Sequence, residues 1–280
     1  MTKILGIVGS PNKGGRTSRL VEKALAGAAS AGAEIDAMYL GEEDIQPCRG
    51  CKVQKCWEDG ICRLDDSAEP RNRRIKEADG IIFGAPVYFH DINGLAKDFI
   101  DKVRIPPRGG GLHTIYLPTN GKSAFAITIA GGTGKGALTS LGAIHWGLFL
   151  PCGFRALKPV PATPFNFKKA LTDAEERGKE LVKAAVNIAP FEEKGLADRI
   201  RHFQETDWVN SDFTDDNFFL ACAIYEGIMD IPAADRKAVE DIKVHIEKAK
   251  QLMDAGRKTE APAYTALAYE IGRRIWDKHK

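Results

Sequence analysis

The 280-residue sequence contains no apolar run of the ~18–20 residues that a membrane-spanning helix requires. It also lacks a long lysine or arginine run, and its 40 basic and 38 acidic residues leave a formal net charge of +2. We found no internal repeat and no low-complexity segment. With 44% hydrophobic residues, the composition is that of a soluble globular protein, for which we expect neither a membrane nor a nucleic-acid partner.

The first nine residues are too short, and too soon followed by glycine and lysine, to be a signal peptide. We therefore expect a cytoplasmic protein, in which thiols stay reduced. Cysteine is scarce outside one short window. In a reducing compartment such a window favours a metal site or reactive thiols over disulfides, and its members are Cys48, Cys51, Cys56 and Cys62.

Apolar runs and amphipathic runs alternate over the first ~190 residues. This alternation implies a parallel sheet covered by helices on both faces, with ligands at the carboxyl ends of the strands. Five strands suit a flavodoxin-like doubly wound α/β fold. We predict strands at 3–8, 34–40, 80–85, 123–130 and 154–160, and helices at 17–31, 71–78, 94–103, 135–150 and 172–188.

The strand pattern stops after Pro190. We predict a domain at 1–189 and a helical extension at 190–280, with an acidic loop at 206–216. The extension could pack on the core, cap the site or form an oligomer contact, and the sequence does not choose among these roles. Its predicted helices are 192–204, 217–229, 234–254 and 263–278.

The segment 9–18, G-S-P-N-K-G-G-R-T-S, separates a predicted strand from a predicted helix. Such a glycine-rich loop directs backbone N–H groups and hydroxyls at one spot beside a helix N-terminus, where phosphate binds. Hydroxyl groups are available on Ser10, Thr17 and Ser18, and Arg16 adds a positively charged guanidinium group. Thr17 or Ser18 could equally be an ordinary helix cap.

Two more loops follow predicted strands. In the first, Pro86 fixes the backbone, and Tyr88 and Phe89 could form a wall for an aromatic ligand or belong to the core. His90 could transfer a proton or be a solvated loop residue. The second loop is A-G-G-T-G-K-G at 130–136, whose glycines permit close backbone approach to a flat ring. Its spacing does not match a P-loop.

Taken in order, the three loops resemble those of the flavodoxin-like NAD(P)H-dependent FMN reductases. Segment 9–17 is similar to G-S-P-R-x-x-G-N-T, with Asn12 in place of arginine and Arg16 in place of asparagine. Segment 86–102 is similar to P-V-Y-[WF]-x(7)-K-x-F-I-D-R, and the position of the loop at 130–136 resembles that of the family's third flavin loop, T-x-G-G-x-x-G-G. The resemblance covers about residues 3–189.

The resemblance implies that these loops bind FMN and that the protein forms a homodimer or homotetramer. The residues that it implies fall in three sets. The set for the FMN phosphate is Ser10, Asn12, Arg16, Thr17 and Ser18. The set for the isoalloxazine is Pro86, Val87, Tyr88, Phe89 and Asn93. The third loop adds Gly131, Gly132, Thr133 and Gly134 to the flavin site.

The cysteine window has the spacing C-x2-C-x4-C-x5-C and is followed by Asp65 and Asp66. The iron–sulfur flavoprotein branch of the same family has a similar window, C-x2-C-x2-C-x(4–7)-C, also followed by two aspartates. The middle spacing here is longer by two residues. A [4Fe–4S] cluster, a zinc ion and plain thiols all remain open.

We therefore expect an FMN-dependent oxidoreductase that passes electrons from NAD(P)H, or from ferredoxin, to a small acceptor such as a quinone. One alternative is a flavodoxin-type or iron–sulfur flavoprotein electron carrier without its own substrate. The other is a biosynthetic flavin-dependent dehydrogenase, in which segment 217–222 is an apolar lid rather than a buried helix face.

Overall fold

The computed structural model describes residues 1–51, 56, 62, 68–103, 119–192, 196–232 and 234–279. Its strands form one sheet in which β2, β1, β3 and β5 are neighbours in that order, with β6 and β7 both alongside β5. Every pairing is parallel except that of β4 with β3. This topology confirms the predicted flavodoxin-like α/β fold. The strands are β1 (Lys3–Val8), β2 (Glu34–Tyr39), β3 (Gly80–Tyr88), β4 (Asp91–Ile92), β5 (Ser123–Ala130), β6 (Arg155–Ala156) and β7 (Val160–Ala162).

The sheet has seven strands rather than the predicted five. The expected edge strand is divided into β6 and β7. The Leu157 N–H still donates to the Ala124 carbonyl over 2.8 Å, but Pro159 has no N–H to donate, so the ladder breaks before Val160. The other added strand, β4, arises because the chain turns back on β3 immediately after Tyr88.

Helices cover both faces of the sheet, as predicted. Apolar residues of α1 and α5 pack on one face, and those of α2, α3 and α4 pack on the other. None of the helices in the described ranges combines the length and apolarity that a membrane crossing requires. The helices are α1 (Arg16–Ser30), α2 (Ala68–Glu77), α3 (Gly94–Lys102), α4 (Leu141–Ile144), α5 (Phe167–Val186), α6 (Leu196–Gln204), α7 (Phe213–Met229), α8 (Arg236–Asp254) and α9 (Ala261–Lys278).

The helix predicted at 135–150 begins only at Leu141, so the first part of that prediction was wrong. Gly134 and Gly136 have φ angles of +79° and +90°, which no α-helix contains. After α4 the chain continues through a π-helical stretch, His145–Phe149, and a last turn, Leu150–Cys152. The helix is therefore shorter and less regular than its apolar pattern indicated.

The carboxyl-terminal part of the chain is helical, as predicted. Helices α7, α8 and α9 bury a cluster of their own, to which Leu220, Ile242 and Ile275 contribute, and Phe165 of the preceding loop enters it. Phe203 of α6 instead packs with the side chains that cover the sheet. We expected a loop at 206–216, but α7 already begins at Phe213. It begins there because Asp212 caps the helix, accepting from the Thr214 N–H over 2.7 Å. The domain division at 189/190 stays a prediction.

Helices α1 and α5 cross at two glycines. A methyl group on Gly27 would lie 2.0 Å from the Glu175 carbonyl oxygen, and one on Gly178 would lie 1.9 Å from that of Ala24. Neither distance can be accommodated without moving a backbone. The two glycines therefore set the separation of α1 and α5, and hence the place of α1 on the sheet.

We predict that Gly178→Ala lowers the free energy of unfolding by about 2–3 kcal/mol, because α1 and α5 must separate. Urea denaturation followed by circular dichroism measures this change. The control is Gly142→Ala in α4, where the added methyl group would meet only Trp146, at 3.7 Å. Helix propensity makes that substitution neutral or stabilising by up to about 1 kcal/mol. Equal effects of the two substitutions would contradict the close helix crossing.

His145 lies fully buried in the π-helical stretch, between Phe149 and Phe203. Its Nδ1–H donates to the Leu141 carbonyl over 2.8 Å, and its Nε2 atom has no partner among the described residues. Burial lowers the pKa of His145 from 6.5 to about 4. The imidazole is thus neutral in the folded protein at pH 7.

This burial predicts that stability falls as the pH drops from about 6.5 to about 4, since the unfolded chain takes up the proton first. The full effect is about 3 kcal/mol. Unfolding of the wild type and of His145→Phe between pH 7.5 and 4.5 tests it. We expect the stability of the variant to depend less steeply on pH. Part of the pH dependence remains, because burial also lowers the pKa of His202. Identical slopes would contradict the assignment.

Candidate functional site

The first loop joins β1 to α1 and is held by its own hydrogen bonds. The Asn12 N–H donates to the Ser10 hydroxyl and the Gly14 N–H donates to the Ser18 hydroxyl, each over 3.1 Å. Ser18 is fully buried and donates to the Asn12 carbonyl over 3.4 Å. Two of the predicted phosphate ligands, Ser10 and Ser18, therefore use their hydroxyls to shape the loop.

Helix α1 begins directly after this loop, at an N-terminus that no described side chain caps. Gly15 is the N-cap residue, and the first turn contains no acidic side chain. Unpaired N–H groups and the helix dipole favour an anion at such an end. Thr17, in the first turn of α1, is buried, whereas Asn12 and Arg16 are exposed. The Arg16 guanidinium lies 5.8 Å from the centroid of the Phe167 ring.

The second loop is a tight turn between β3 and β4. Phe89 and His90 have φ angles of +50° and +70°, as a two-residue hairpin turn of the mirror-image type requires. Pro86 and Val87 are buried within β3, whereas the side chains of Tyr88 and Phe89 are 50% and 102% exposed. Both rings are therefore available as a wall for a ligand and do not belong to the core.

Asn93 follows this hairpin and caps α3 by position. It is 3% exposed, and its N–H donates to the Pro86 carbonyl over 3.1 Å. Its side-chain oxygen Oδ1 is buried and has no partner among the described residues. A buried acceptor without a donor is costly unless a ligand supplies one. His90, the second residue of the hairpin turn, contacts the ring of Phe213 edge-on, with 5.5 Å between the ring centroids.

The third loop follows β5 and leaves an open backbone surface. A methyl group on Gly131 or Gly132 would meet no atom within 4 Å, and both glycines and Thr133 are exposed. Gly134 is buried, and its N–H donates to the Gly131 carbonyl over 2.8 Å. The loop can thus present its backbone to a flat ligand at close range.

Three residues of the carboxyl-terminal helices contact this third loop, and the sequence analysis did not select them. Asp216 of α7 is 2% exposed and accepts from the N–H groups of Gly136 and Leu138, over 2.7 and 2.8 Å. The Tyr269 hydroxyl donates to the Thr133 carbonyl over 3.1 Å, and Arg273 Nη1 donates to that of Gly132 over 3.3 Å. One available signal was the spacing of Tyr269 and Arg273, which places both on one face of α9.

The four cysteines of the predicted metal set lie in the part of the chain that the structure describes. Cys48 and Cys51 are exposed, and Cys56 and Cys62 are half-buried. Within the described ranges, no three His, Cys, Asp or Glu side chains are close enough together to hold a metal ion. The structure thus does not bring the predicted ligands together. Residues 52–55 and 57–61, between the cysteines, lie outside the described residues.

A family model described as NADPH-dependent FMN reductase matches residues 2–153, which include β1, β3, β5 and all three loops. The chain belongs to this family.

An iron–sulfur flavoprotein of Methanocaldococcus jannaschii is 34% identical over 143 residues, which cover 51% of this chain and 69% of the relative. An iron–sulfur flavoprotein of Archaeoglobus fulgidus is 29% identical over 201 residues, 71% of this chain and 93% of the relative. A solved structure titled flavone reductase is similar over 67% of this chain and 64% of its own, with 18% identity and a TM-score of 0.49.

The site of this FMN reductase family member fits the cofactor that the family name implies. The uncapped N-terminus of α1 suits a phosphate, and the exposed backbone at Gly131 and Gly132 suits a flat ring. The buried Oδ1 of Asn93 could accept a hydrogen bond from a ring donor. The match ends at residue 153, so the helices that contact the third loop lie outside it.

We predict that Gly15→Asp weakens FMN binding while leaving the fold intact or more stable. The new carboxylate would cap α1 and take the place of the phosphate charge. Gly15→Asn is the matched control, since it offers a similar cap without the charge. We expect FMN to bind the Asp variant about tenfold or more weakly than the Asn variant, a difference of about 1.4 kcal/mol, in a flavin-fluorescence titration. Equal affinities of the two variants would contradict a phosphate site at this helix end.

Proposed function

We propose that this protein is an FMN-dependent oxidoreductase that passes electrons from NAD(P)H to a small acceptor such as a quinone. The observation that carries the proposal is that the three loops meet at the carboxyl ends of β1, β3 and β5. The Gly9 N–H donates to the Gly84 carbonyl over 2.6 Å, which joins the first loop to β3. A methyl group on Gly136 would lie 2.7 Å from the Cα of His90, which places the third loop against the hairpin.

Each part of this site has a separate task in the proposed reaction. The N–H groups at the start of α1 hold the phosphate, with Arg16 exposed beside them to add positive charge. The backbone of the third loop and the hairpin after β3 hold the ring system. Bound FMN supplies both hydride and single-electron transfer. The protein therefore contributes position and electrostatics rather than a reacting side chain.

The exposed aromatic residues next to the hairpin support a flat acceptor. Tyr88 and Phe89 expose their rings at the end of β3, and Phe213 of α7 is 63% exposed beside His90. Large apolar rings on a surface favour stacking with an aromatic or quinone-like molecule. These rings would orient such an acceptor beside the flavin.

A second candidate is electron transfer that includes a [4Fe–4S] cluster, with ferredoxin as the donor. The observation that favours it is the C-x2-C-x4-C-x5-C window, together with the similarity to the archaeal iron–sulfur flavoproteins. We derive no step through a cluster, because the described positions of Cys48, Cys51, Cys56 and Cys62 do not form a metal site. A cytoplasmic location, expected from the sequence pattern, and a homodimer or homotetramer, implied by the family resemblance, remain parts of the proposal.

Anaerobic oxidation of NADH and NADPH by the FMN-loaded protein, with a benzoquinone acceptor and no partner protein, tests this proposal. We expect turnover at about 1–10³ s⁻¹, well above that of free FMN at equal concentration. Bound FMN that neither nucleotide reduces would contradict the proposal and favour the carrier. Iron and acid-labile sulfide are assayed on the same sample. About four of each per chain would support the cluster, and none would remove the second candidate.

A further inference from the structure

The third loop has a composition that does not by itself specify one conformation. Its glycines Gly132, Gly134 and Gly136 all have positive φ angles, between +53° and +90°. A glycine-rich segment loses more conformational entropy on ordering than any other, about 1–2 kcal/mol per residue for the backbone. Contacts from elsewhere must therefore hold the loop if it is to be ready for a ligand.

Asp216 supplies the strongest of these contacts. Its two carboxylate oxygens accept from the N–H groups of Gly136, the last residue of the loop, and of Leu138, two residues beyond it, over 2.7 and 2.8 Å. The side chain is 2% exposed, so water does not compete for these hydrogen bonds. Hydrogen bonds to a carboxylate are roughly twice as strong as neutral ones. The residue stands 80 positions along the chain from Gly136.

The start of α7, where Asp216 lies, is itself fixed. Asp212 and Asp215 form a capping box there, and Lys258 Nζ lies 2.9 Å from the first and 2.7 Å from the second. Lys258 stands in the connection between α8 and α9. The start of α7 is therefore joined to the connection between α8 and α9, and both lie outside the family match.

Helix α9 holds the opposite end of the same loop. Tyr269 donates to the Thr133 carbonyl and Arg273 to the Gly132 carbonyl. Arg273 is oriented by Asp277, at 3.0 Å. The loop is thus contacted at its carbonyls by α9 and at its N–H groups by α7, which leaves the surface at Gly131 open.

We propose that Asp216 is a positioning residue, through which the carboxyl-terminal helices hold the third loop in the conformation that receives the isoalloxazine ring. This inference rests on the proposed function. It assigns to the carboxyl-terminal helices a task in cofactor binding, by ordering the loop before FMN arrives. Such preorganisation raises affinity without adding a contact to the ligand.

The substitution Asp216→Asn tests the proposal, because the amide presents an NH2 group to one of the two loop N–H donors. Asp235→Asn is the matched control: it alters the N-cap of α8, where Asp235 accepts from the Lys237 N–H over 2.9 Å, and leaves the loop contacts and the start of α7 intact. The first measurement is hydrogen exchange of peptides spanning 128–140 in the full-length protein without FMN. We expect at least about tenfold faster exchange in Asp216→Asn only, since the carboxylate acceptor is lost.

The second measurement is the affinity of each variant for FMN and for riboflavin. We expect Asp216→Asn to weaken both by about tenfold or more and to leave their ratio unchanged, because the loop contacts the ring rather than the phosphate. A general loss of stability would affect Asp235→Asn equally. Tyr269→Phe, which removes one hydroxyl from another helix, should weaken both ligands less and in the same direction. It also serves if Asp216→Asn does not fold.

The two proposals fail in different ways. If the wild type binds no flavin, the proposed function fails, while the exchange measurement still reports whether Asp216 orders the loop. If the wild type binds FMN, but Asp216→Asn and Tyr269→Phe match Asp235→Asn in exchange and in affinity, the positioning role is overturned and the proposed function stands.

Discussion

The arrangement of the site depends on the close approach of two backbones at Gly9 and Gly84. The hydrogen bond between them, 2.6 Å long, joins the end of β1 to the end of β3. A methyl group on Gly9 would lie 2.9 Å from the Gly84 carbonyl oxygen, and one on Gly84 would lie 2.4 Å from Val21 of α1. Because both positions lack a side chain, α1 rests directly on the sheet, and its uncapped N-terminus reaches the carboxyl ends of the strands.

The carboxyl-terminal helices extend this arrangement on the side of β5. They pack around a separate apolar cluster that includes Phe165, and Phe219 of α7 reaches the small cluster of Val87, Ala130 and Ala137 at the ends of β3 and β5. Segment 217–222 thus contributes both to a buried helix face and to a contact beside the site. The part of the chain that matches the family, which contains the three loops, therefore packs against helices that lie outside the match.

The sheet and the three loops were predictable because their signals are local: apolar runs buried on both faces, each followed by a glycine-rich or proline-containing turn. Pro159 was also a visible signal for the division of the edge strand, but the apolar residues on both sides of it favoured one continuous strand. Asp216 was not predictable, since an aspartate in an acidic stretch looks solvated until the fold brings it to a loop 80 residues away. Nor does a hydroxyl such as that of Ser18 reveal whether it faces a ligand or its own loop.

In the proposed function, the loop before α1 binds a phosphate and the other two loops bind a flat ring. Calorimetric titration of the wild-type protein with FMN and with riboflavin separates these two parts of the site, since the two ligands differ only in the phosphate. We expect FMN to bind at least about a hundredfold more tightly than riboflavin, a difference of about 2.7 kcal/mol. Equal affinities, or no binding of either ligand, would contradict it.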